Sequence, residues 1–254
     1  MGRARLTHRE RFDAVAQNES WKEILSVSGP GSELDSGSVL HSLDVLDQIC
    51  RDLDIRSIAD IPCGDFHWIH LFLQKWPDIS YVGYDVSPTM IDLASANGPG
   101  RRFELLDVTK ETPAAADLIF CKDFVNHIER HHIWAALRNM SASGSRWIMI
   151  TSNRGCRNRA LWLKTNSSSR KVDLSAHPYK LPEPIYSDHY LSVWKASDIA
   201  VRVAERDRNN LFIRVSAWVS GLSRPPADSP VRLPAAAPTP DPADNRPDRP
   251  PLRT

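Results

Sequence analysis

The sequence predicts an α/β fold in which a doubly wound, mostly parallel sheet carries helices on both faces. Short apolar runs alternate with segments of helical periodicity from about residue 57 to residue 151, which is typical of successive βαβ units. The 254 residues suit one such domain with additional segments. With 41% hydrophobic and 25% charged residues, the chain has the composition of a globular protein with a sizeable core.

The apolar runs place five strands before residue 152 and one later strand. The predicted strands are Ser57–Ile61, Tyr81–Asp85, Phe103–Leu106, Asp117–Cys121, Arg146–Thr151 and Tyr190–Trp194. Between them, apolar residues recur at spacings of three and four, as on the buried face of a helix. Helices are therefore predicted at Val39–Leu53, Phe66–Lys75, Pro88–Ala96 and Val125–Met140. Ser36 or Ser38 suits the N-cap of the first helix, and Pro88 suits a first helical position.

The charge balance and the cysteines argue against several classes of protein. A formal net charge of +1 gives no electrostatic reason to expect a nucleic acid or an acidic membrane as partner. The four cysteines contain no C-x-x-C pair, so neither a structural zinc site nor a disulfide framework is expected. The chain shows no secretory signal and no apolar stretch of about 18 residues, which predicts a cytoplasmic location.

Acidic residues follow three of the predicted strands. Asp60 ends the first strand, Asp85 ends the second, and Asp107 follows the third. In an open α/β sheet, ligands bind at the carboxyl ends of the strands, and a carboxylate at the end of the second strand can accept both hydroxyls of a ribose. Each aspartate taken alone also suits a helix cap or a turn.

The turn after the first strand, Ile61–Phe66, departs from the glycine-rich pattern that binds a pyrophosphate. It contains one glycine, Gly64, which lets the backbone approach a ligand closely. Asp65 would repel a phosphate and attract an ammonium group. These residues therefore favour a ligand with a ribose, an adenine and a cationic amino-acid end, such as S-adenosylmethionine.

Three runs of the sequence, SIADIPCGDFHWIH, YVGYDVSPTMI and DVTKETPAAADLIFCKDFVNHI, resemble successive motifs of class I (Rossmann-like) S-adenosylmethionine-dependent methyltransferases. The P-C-G-D-F-x-W turn, SGSVLHS and LPEPIY are similar to a narrower group of small bacterial methyltransferases. The resemblance covers about Trp21 to Ile199. It implies a seven-stranded Rossmann-like sheet, S-adenosylmethionine as cofactor and methyl transfer as activity.

The resemblance also implies roles for individual residues. The methionine portion would be surrounded by Asp60, Cys63, Gly64 and Asp65, and its end would be covered by Gly37 and Ser38. Asp85 would hold the ribose, Val86 would pack beside the adenine, Asp107 would bind the adenine amino group, and Val108 would supply a backbone contact. The methyl group would be faced by Lys122 and Asp123. Trp68, on the following helix, suits either the site or the core.

His127 is the first candidate for a catalytic base. It follows the fourth strand, and a histidine titrates near neutral pH, while Asp123 could orient it or act itself. The alternative is that His127 caps or packs the next helix. His127, His131 and His132 also raise the question of a metal, since the first two would share a helix face. No carboxylate is evidently placed to complete such a site, so no metal is expected.

The expected acceptor is a small molecule methylated at oxygen or nitrogen. Residues 121–124, Cys-Lys-Asp-Phe, lack the Asn/Asp-Pro-Pro-aromatic pattern associated with methylation of nucleic-acid amino groups. No nucleic acid or membrane partner is expected, and the protein is expected to be a monomer or a homodimer. Three alternatives stay open: a non-catalytic S-adenosylmethionine-binding module, an NAD(P)-dependent oxidoreductase, and an enzyme that modifies RNA or protein.

Composition divides the chain into further segments. Residues 1–35 are predicted to form a helical and loop segment, with a helix around Phe12, Val15 and Trp21, that covers the cofactor site. The methyltransferase domain is predicted at 36–205. Within it, 153–184 is polar, irregular and too long for an ordinary connection, which indicates a lid or an acceptor-binding insertion. Residues 223–254 are rich in proline and are predicted to be a disordered tail.

Overall fold

The computed structural model describes residues 6–17, 26–160 and 168–219, with the backbone alone for 212–219. In these residues the strands are β1 (Ser57–Asp60), β2 (Ser80–Asp85), β3 (Arg102–Leu105), β4 (Leu118–Cys121), β5 (Trp147–Thr151), β6 (Tyr186–Ser187) and β7 (Leu191–Lys195). The helices are α1 (His8–Gln17), α2 (Gly37–Asp52), α3 (Ile69–Lys75), α4 (Pro88–Asn97), α5 (Arg130–Ala142) and α6 (Ala196–Val219). Two 3₁₀ turns lie at Pro30–Ser32 and Val125–His127. The chain divides into two compact units after Asn209, and the sheet belongs to the first.

The seven strands form one sheet in the order β3-β2-β1-β4-β5-β7-β6. The first five strands along the chain run parallel, whereas β7 is antiparallel to both β5 and β6. Asp60 pairs with Gly83 and Asp85 pairs with Leu105, so the ends of β1, β2 and β3 lie along one edge. The strand order reverses between β1 and β4, which is where such a sheet opens a ligand crevice.

Helices pack on both faces of this sheet, as predicted. On one face, α5 and α6 contribute Leu137 and Ile199 to a core that includes Ile119 of β4. On the other face, α2 and α3 belong to a second core that includes Phe120, the next residue of the same strand. Successive side chains of a strand point to opposite faces, so β4 is buried on both sides, as expected of a central parallel strand. The predicted α/β, doubly wound, mostly parallel seven-stranded sheet is confirmed.

The predicted helix Val125–Met140 is wrong in its first part. A 3₁₀ turn ends at His127, Ile128 and Glu129 are extended, and α5 begins only at Arg130. The extended backbone brings the Ile128 side chain into the core, where it is fully buried. For the same reason His127 and His131 do not share a helix face, which corrects the earlier expectation.

The helix predicted from Phe66 begins later, at Ile69. Phe66 adopts a left-handed backbone with φ 61°, which is incompatible with a helix start. Its ring is buried against Tyr81 and Phe103, and this burial compensates for the local strain. The helix α4 begins at Pro88, as predicted. The helix α2 begins at Gly37, two residues before the predicted start, and Ser36, one of the two N-cap candidates, accepts a hydrogen bond from the Val39 amide.

The insertion predicted at 153–184 has no regular secondary structure where it is described. In 153–160 and 168–184 no residue belongs to a helix or strand. Trp21 and the predicted tail at 223–254 lie outside the described residues. Among the helices that the structure describes, none has the length and apolar character needed to cross a membrane.

Candidate active site

A cavity of about 400 Å³ lies at the carboxyl ends of β1, β2 and β4. This volume is in the range of small-molecule and cofactor pockets, which is about 300–1,000 Å³. The sequence-predicted residues that line it are Asp60, Cys63, Gly64, Asp65, Asp85, Val86, Asp107, Val108, Lys122, Asp123 and His127. Trp68 lines it as well, although its indole is buried and packs edge-on against Phe120.

Asp60 and Asp85 are buried at the ends of the two central strands. The Tyr81 hydroxyl donates to Asp60 Oδ2 at 2.8 Å. Burial raises the pKa of Asp60 to about 7, although the Tyr81 hydrogen bond opposes the change. The backbone amides of Gly64 and Ser87 donate to the two oxygens of Asp85, at 3.2 and 2.9 Å. Burial raises the pKa of Asp85 to about 6, and these amides hold its carboxyl group in one orientation.

Asp107 lies beyond β3 and is held by its neighbours in sequence. The Thr109 hydroxyl donates to Oδ1 at 2.6 Å, and Lys110 Nζ lies 2.7 Å from Oδ2. Burial would raise the pKa of Asp107, but these two partners outweigh it and lower the pKa. The carboxyl group is therefore ionised and can accept further hydrogen bonds. The carbonyl of Val108 accepts a hydrogen bond from the Asn139 amide at 2.8 Å.

Asp65 holds a segment of the N-terminal region across the first turn. Its carboxylate accepts hydrogen bonds from the Val27 amide at 2.7 Å and from the hydroxyls of Ser26 and Ser28 at 3.0 Å. Gly64 has φ 56°, and a Cβ at this position would collide with the Ser28 hydroxyl. The glycine therefore makes room for the protein's own loop. The predicted attraction of an ammonium group by Asp65 stays a prediction, since its oxygens already have partners within the chain.

Gly37 and Ser38 are not brought to the cavity, contrary to expectation. The cap formed by Ser36 places both in the first turn of α2. The Ser38 hydroxyl donates to the carbonyl of Gly31 at 3.0 Å, and it is the loop from Val27 to Ser32 that lines the cavity. The Gly-Pro-Gly-Ser run at residues 29–32 is typical of a loop. That this loop lines the cavity depends on its hydrogen bonds to Asp65, which no local pattern indicates.

Lys122 and Asp123 form a hydrogen-bonded cluster at the end of β4. Lys122 Nζ donates to the Gly31 carbonyl at 2.8 Å and to Asp123 Oδ2 at 2.7 Å. The Tyr190 hydroxyl donates to the same Asp123 oxygen at 2.5 Å, and the Asn126 amide donates to the other oxygen at 3.2 Å. Burial and the neighbouring Asp123 raise the pKa of Tyr190 above its usual range, so its hydroxyl stays protonated. Sequence reasoning missed Tyr190 and Asn126.

His127 lines the cavity from the 3₁₀ turn after β4. Its Nδ1 lies 3.1 Å from the carbonyl oxygen of Ser168, which can only accept a hydrogen bond. The proton of the neutral ring is therefore on Nδ1, and Nε2 carries the free lone pair. Burial lowers the pKa of His127, which favours this neutral form. Phe12 and Val15, from the helix predicted in the N-terminal segment, also line the cavity, as does His8 of the same helix, which sequence reasoning missed.

The charged residues of the cavity are predominantly acidic. Its lining includes one lysine and five aspartates, Asp60, Asp65, Asp85, Asp107 and Asp123. Such a lining favours a cationic ligand and opposes a pyrophosphate, because the ligand would carry the same sign as the site. Carboxylates are also hydrogen-bond acceptors, which suits the hydroxyls of a ribose and an amino group. The residues present thus fit S-adenosylmethionine better than a dinucleotide.

Part of this site belongs to a stretch that matches a known family. Residues 59–143 match the model of a methyltransferase domain. The stretch begins at the end of β1 and continues through α5, so it contains the ends of β1, β2, β3 and β4. A methyltransferase domain was predicted here, and the prediction agrees with this match. The narrower P-C-G-D-F-x-W group stays a prediction.

Curated relatives match about a third of the chain. Trans-aconitate 2-methyltransferase of Afipia carboxidovorans is 33% identical over 89 residues, which are 35% of this chain and 34% of that protein. The enzyme of the same name from Enterobacter sp. (strain 638) is 31% identical over 90 residues, 35% of each chain. The match therefore spans about a third of the length of these relatives.

Two solved structures are examples of the structural likeness. CalS10, an S-adenosylmethionine-bound amino pentose methyltransferase from Micromonospora echinaspora, has a TM-score of 0.41 and 23% identity, over 46% of this chain and 51% of CalS10. Magnesium protoporphyrin IX methyltransferase from Synechocystis PCC 6803 has a TM-score of 0.47 and 14% identity, over 76% of this chain and 98% of that chain. Scores this low carry no functional weight, and the fold assignment rests on the sheet itself.

Proposed function

We propose that the protein is an S-adenosylmethionine-dependent methyltransferase that methylates an oxygen or nitrogen atom of a small molecule. One observation carries the proposal. The stretch that matches a methyltransferase domain ends its strands in aspartates that line a single acidic cavity of cofactor size. Neither the match nor the cavity identifies the acceptor.

The strand-end residues would hold the cofactor. The carboxyl group of Asp85, which two backbone amides hold in place, would accept hydrogen bonds from the ribose hydroxyls. Asp107 would accept a hydrogen bond from the adenine amino group, Val86 would pack beside the ring, and Val108 would supply a backbone contact. Asp60 and the first turn would lie around the methionine portion. When bound, the cofactor supplies a methyl group on a positively charged sulfonium, which the carboxylates of the cavity would stabilise.

The residues after β4 would act on the acceptor. A hydroxyl or amine must lose a proton when it is methylated, and the free lone pair of His127 Nε2 is suited to take it. Asp123 is less available as a base, because both of its oxygens accept hydrogen bonds from Lys122, Tyr190 and Asn126. We assign Asp123 a positioning role, in which it fixes Lys122 and thereby the Gly31 carbonyl at the cavity.

The segments around the domain would control access to this site. The N-terminal segment, predicted at 1–35, reaches the cavity through α1 and through the loop from Val27 to Ser32. The insertion at 153–184 contributes Ser169 to the lining. We propose that the first segment covers the cofactor and the second selects the acceptor, within a methyltransferase domain that spans 36–205.

The residues of the cavity also bear on two of the alternatives. A nicotinamide dinucleotide would place its pyrophosphate among five aspartates, which disfavours the oxidoreductase. A non-catalytic module would have no need for a neutral histidine at the cavity, so His127 favours an enzyme.

The test combines cofactor binding with a search for product. Calorimetry with S-adenosylhomocysteine and with NADH should show binding of the first alone. Mass spectrometry after incubation with S-adenosylmethionine and a panel of small hydroxyl, amine and carboxylate compounds should then show an added methyl group. Trans-aconitate, the compound named in the relatives, belongs in the panel. Binding of NADH, or cofactor bound and never consumed, would contradict the proposal.

A further inference from the structure

Three possible metal ligands converge beside the cavity from distant parts of the sequence. His8 belongs to α1, and Glu129 and His132 lie at the start of α5. His8 Nε2 lies 3.7 Å from Glu129 Oε2, and His132 Nδ1 lies 3.3 Å from the same oxygen. One ligand atom from each residue lies within 4.8 Å of the others. His8 also lines the cavity, so the cluster adjoins the site described above.

These separations are close to those of a tetrahedral zinc site. Bonds of about 2.0–2.2 Å to nitrogen and carboxylate oxygen place neighbouring ligand atoms about 3.3–3.5 Å apart. Two histidines and one carboxylate form a common catalytic-type ligand set, in which water takes the fourth position. A cation would therefore fit between the three side chains with only small adjustments.

The His8 imidazole provides an independent reason to expect a ligand. Its side chain is 10% exposed, and its Nε2 atom is buried with no hydrogen-bond partner among the described residues. A buried polar atom without a partner costs free energy, and most such atoms in folded proteins are satisfied by a protein group, a water or an ion. Nε2 faces the carboxylate at 3.7 Å, which is too far for a hydrogen bond but suits an ion between them.

We propose that His8, Glu129 and His132 bind one Zn²⁺ ion, which ties α1 to α5 at the edge of the cavity. The sequence did not indicate this site, because the three-and-four spacing suggested His127 and His131 as partners on one helix. The extended backbone at Ile128 and Glu129 removes that pairing and instead brings Glu129 next to His132. The site is independent of the proposed methyl transfer, and its test uses neither cofactor nor acceptor.

The experiment measures zinc affinity of the full chain. Protein stripped of metal with a chelator is titrated with Zn²⁺ in competition with a chromophoric zinc indicator. Wild type should bind one equivalent, and His8→Ala and His132→Ala should each weaken binding at least about tenfold. His131→Ala is the matched control, since His131 is an exposed imidazole on the same helix, next to His132. His189→Ala controls for the second cluster, His41, Asp188 and His189.

Two outcomes would overturn the proposal. One is wild-type affinity in both His8→Ala and His132→Ala. The other is loss of binding in His189→Ala alone, which would place the ion at the second cluster.

A second variant separates metal binding from folding. Glu129→Gln keeps the shape of the side chain and removes its charge, so it should fold with the circular dichroism of wild type and still lose zinc affinity. Zinc should raise the thermal midpoint of wild type, because an ion that binds only the folded state stabilises it, and should not raise that of Glu129→Gln. A Glu129→Gln protein that binds zinc as tightly as wild type would refute the assignment.

Discussion

Ser28 and Asp65 exchange two hydrogen bonds across 37 residues of sequence. The Asp65 amide donates to Ser28 Oγ at 3.0 Å, and the Ser28 hydroxyl donates to Asp65 Oδ1 at 3.0 Å. Together with the Val27 amide, which also donates to this carboxylate, they fasten the loop before α2 onto the first turn of the sheet. The Asp65 carboxylate thus holds the loop that lines one side of the cavity. A glycine-rich turn would instead leave space there for a phosphate.

Replacing Asp65 should therefore weaken both the fold and the site. In Asp65→Ala the Val27 amide and the hydroxyls of Ser26 and Ser28 lose their acceptor, and buried donors without partners cost about 1–3 kcal/mol. We expect a loss of this size in the free energy of unfolding, measured by urea denaturation, and weaker binding of S-adenosylhomocysteine. Asp78→Ala, at an exposed aspartate, should change the free energy by less than about 0.5 kcal/mol. Equal stabilities of the two variants would contradict this role.

Asp85→Ala should abolish measurable cofactor binding. Two hydrogen bonds from a ribose to a charged acceptor are worth about 3–6 kcal/mol together, which corresponds to a loss of affinity of at least about 100-fold. Calorimetry with S-adenosylhomocysteine measures the effect, and Asp92→Ala, at an exposed position of α4, is the control. Retained affinity in Asp85→Ala would show that the ribose lies elsewhere.

The contribution of Asp60 to the stability of the ligand-free protein should fall as the pH rises towards neutrality. Burial raises the pKa of Asp60 from 3.8 to about 7, so the folded state retains a proton that the unfolded chain releases near pH 4. The contribution of Asp60 to the free energy of unfolding therefore decreases between about pH 4 and pH 7, by at most about 4 kcal/mol at 1.4 kcal/mol per pKa unit. The stabilisation is complete below pH 4 and is lost above pH 7.

Asp60→Asn isolates this effect, because the amide does not titrate and can still accept from the Tyr81 hydroxyl. Urea denaturation at a series of pH values should show wild type losing stability relative to Asp60→Asn up to about pH 7 and no further change above it. Asp78→Asn should run parallel to wild type throughout. A difference between wild type and Asp60→Asn that does not vary with pH would mean that Asp60 is ionised in the folded protein at acidic pH.

The strand-end aspartates were predictable from the sequence because they depend on local regularities. Apolar runs located the strands, parallel alternation put the ends of β1 and β2 at one edge, and Asp60 and Asp85 followed from that geometry. The cover of the methionine end by Gly37 and Ser38 was instead implied by the family resemblance, and the structure does not bring these two residues to the cavity. Both residues lie in a helix that Ser36 caps, while the loop that reaches the cavity is chosen by hydrogen bonds to a residue distant in sequence.

Contacts between segments distant in sequence could not be predicted from hydrophobic periodicity, because periodicity describes only local structure. Tyr190 directly precedes β7, which is separated from β4 by β5, and its hydroxyl reaches Asp123 beyond the end of β4. His8 reaches the cavity from α1, and no local sequence pattern specifies this contact. The break before α5 was also missed, since the sequence around Ile128 contains neither glycine nor proline to mark it. It is the burial of the Ile128 side chain that requires the extended backbone.

His127→Asn should lower kcat for a hydroxyl or amine acceptor by about 10²–10⁴-fold, because the amide cannot take the proton that the acceptor loses. Binding of S-adenosylhomocysteine should stay close to that of wild type, since the assigned cofactor contacts come from other residues. His177→Asn, at an exposed histidine of the insertion, should leave kcat unchanged. A carboxylate acceptor is already deprotonated and needs no base. Full activity of His127→Asn on a carboxylate compound would therefore mean that the acceptor is a carboxylate and that His127 is not a catalytic base.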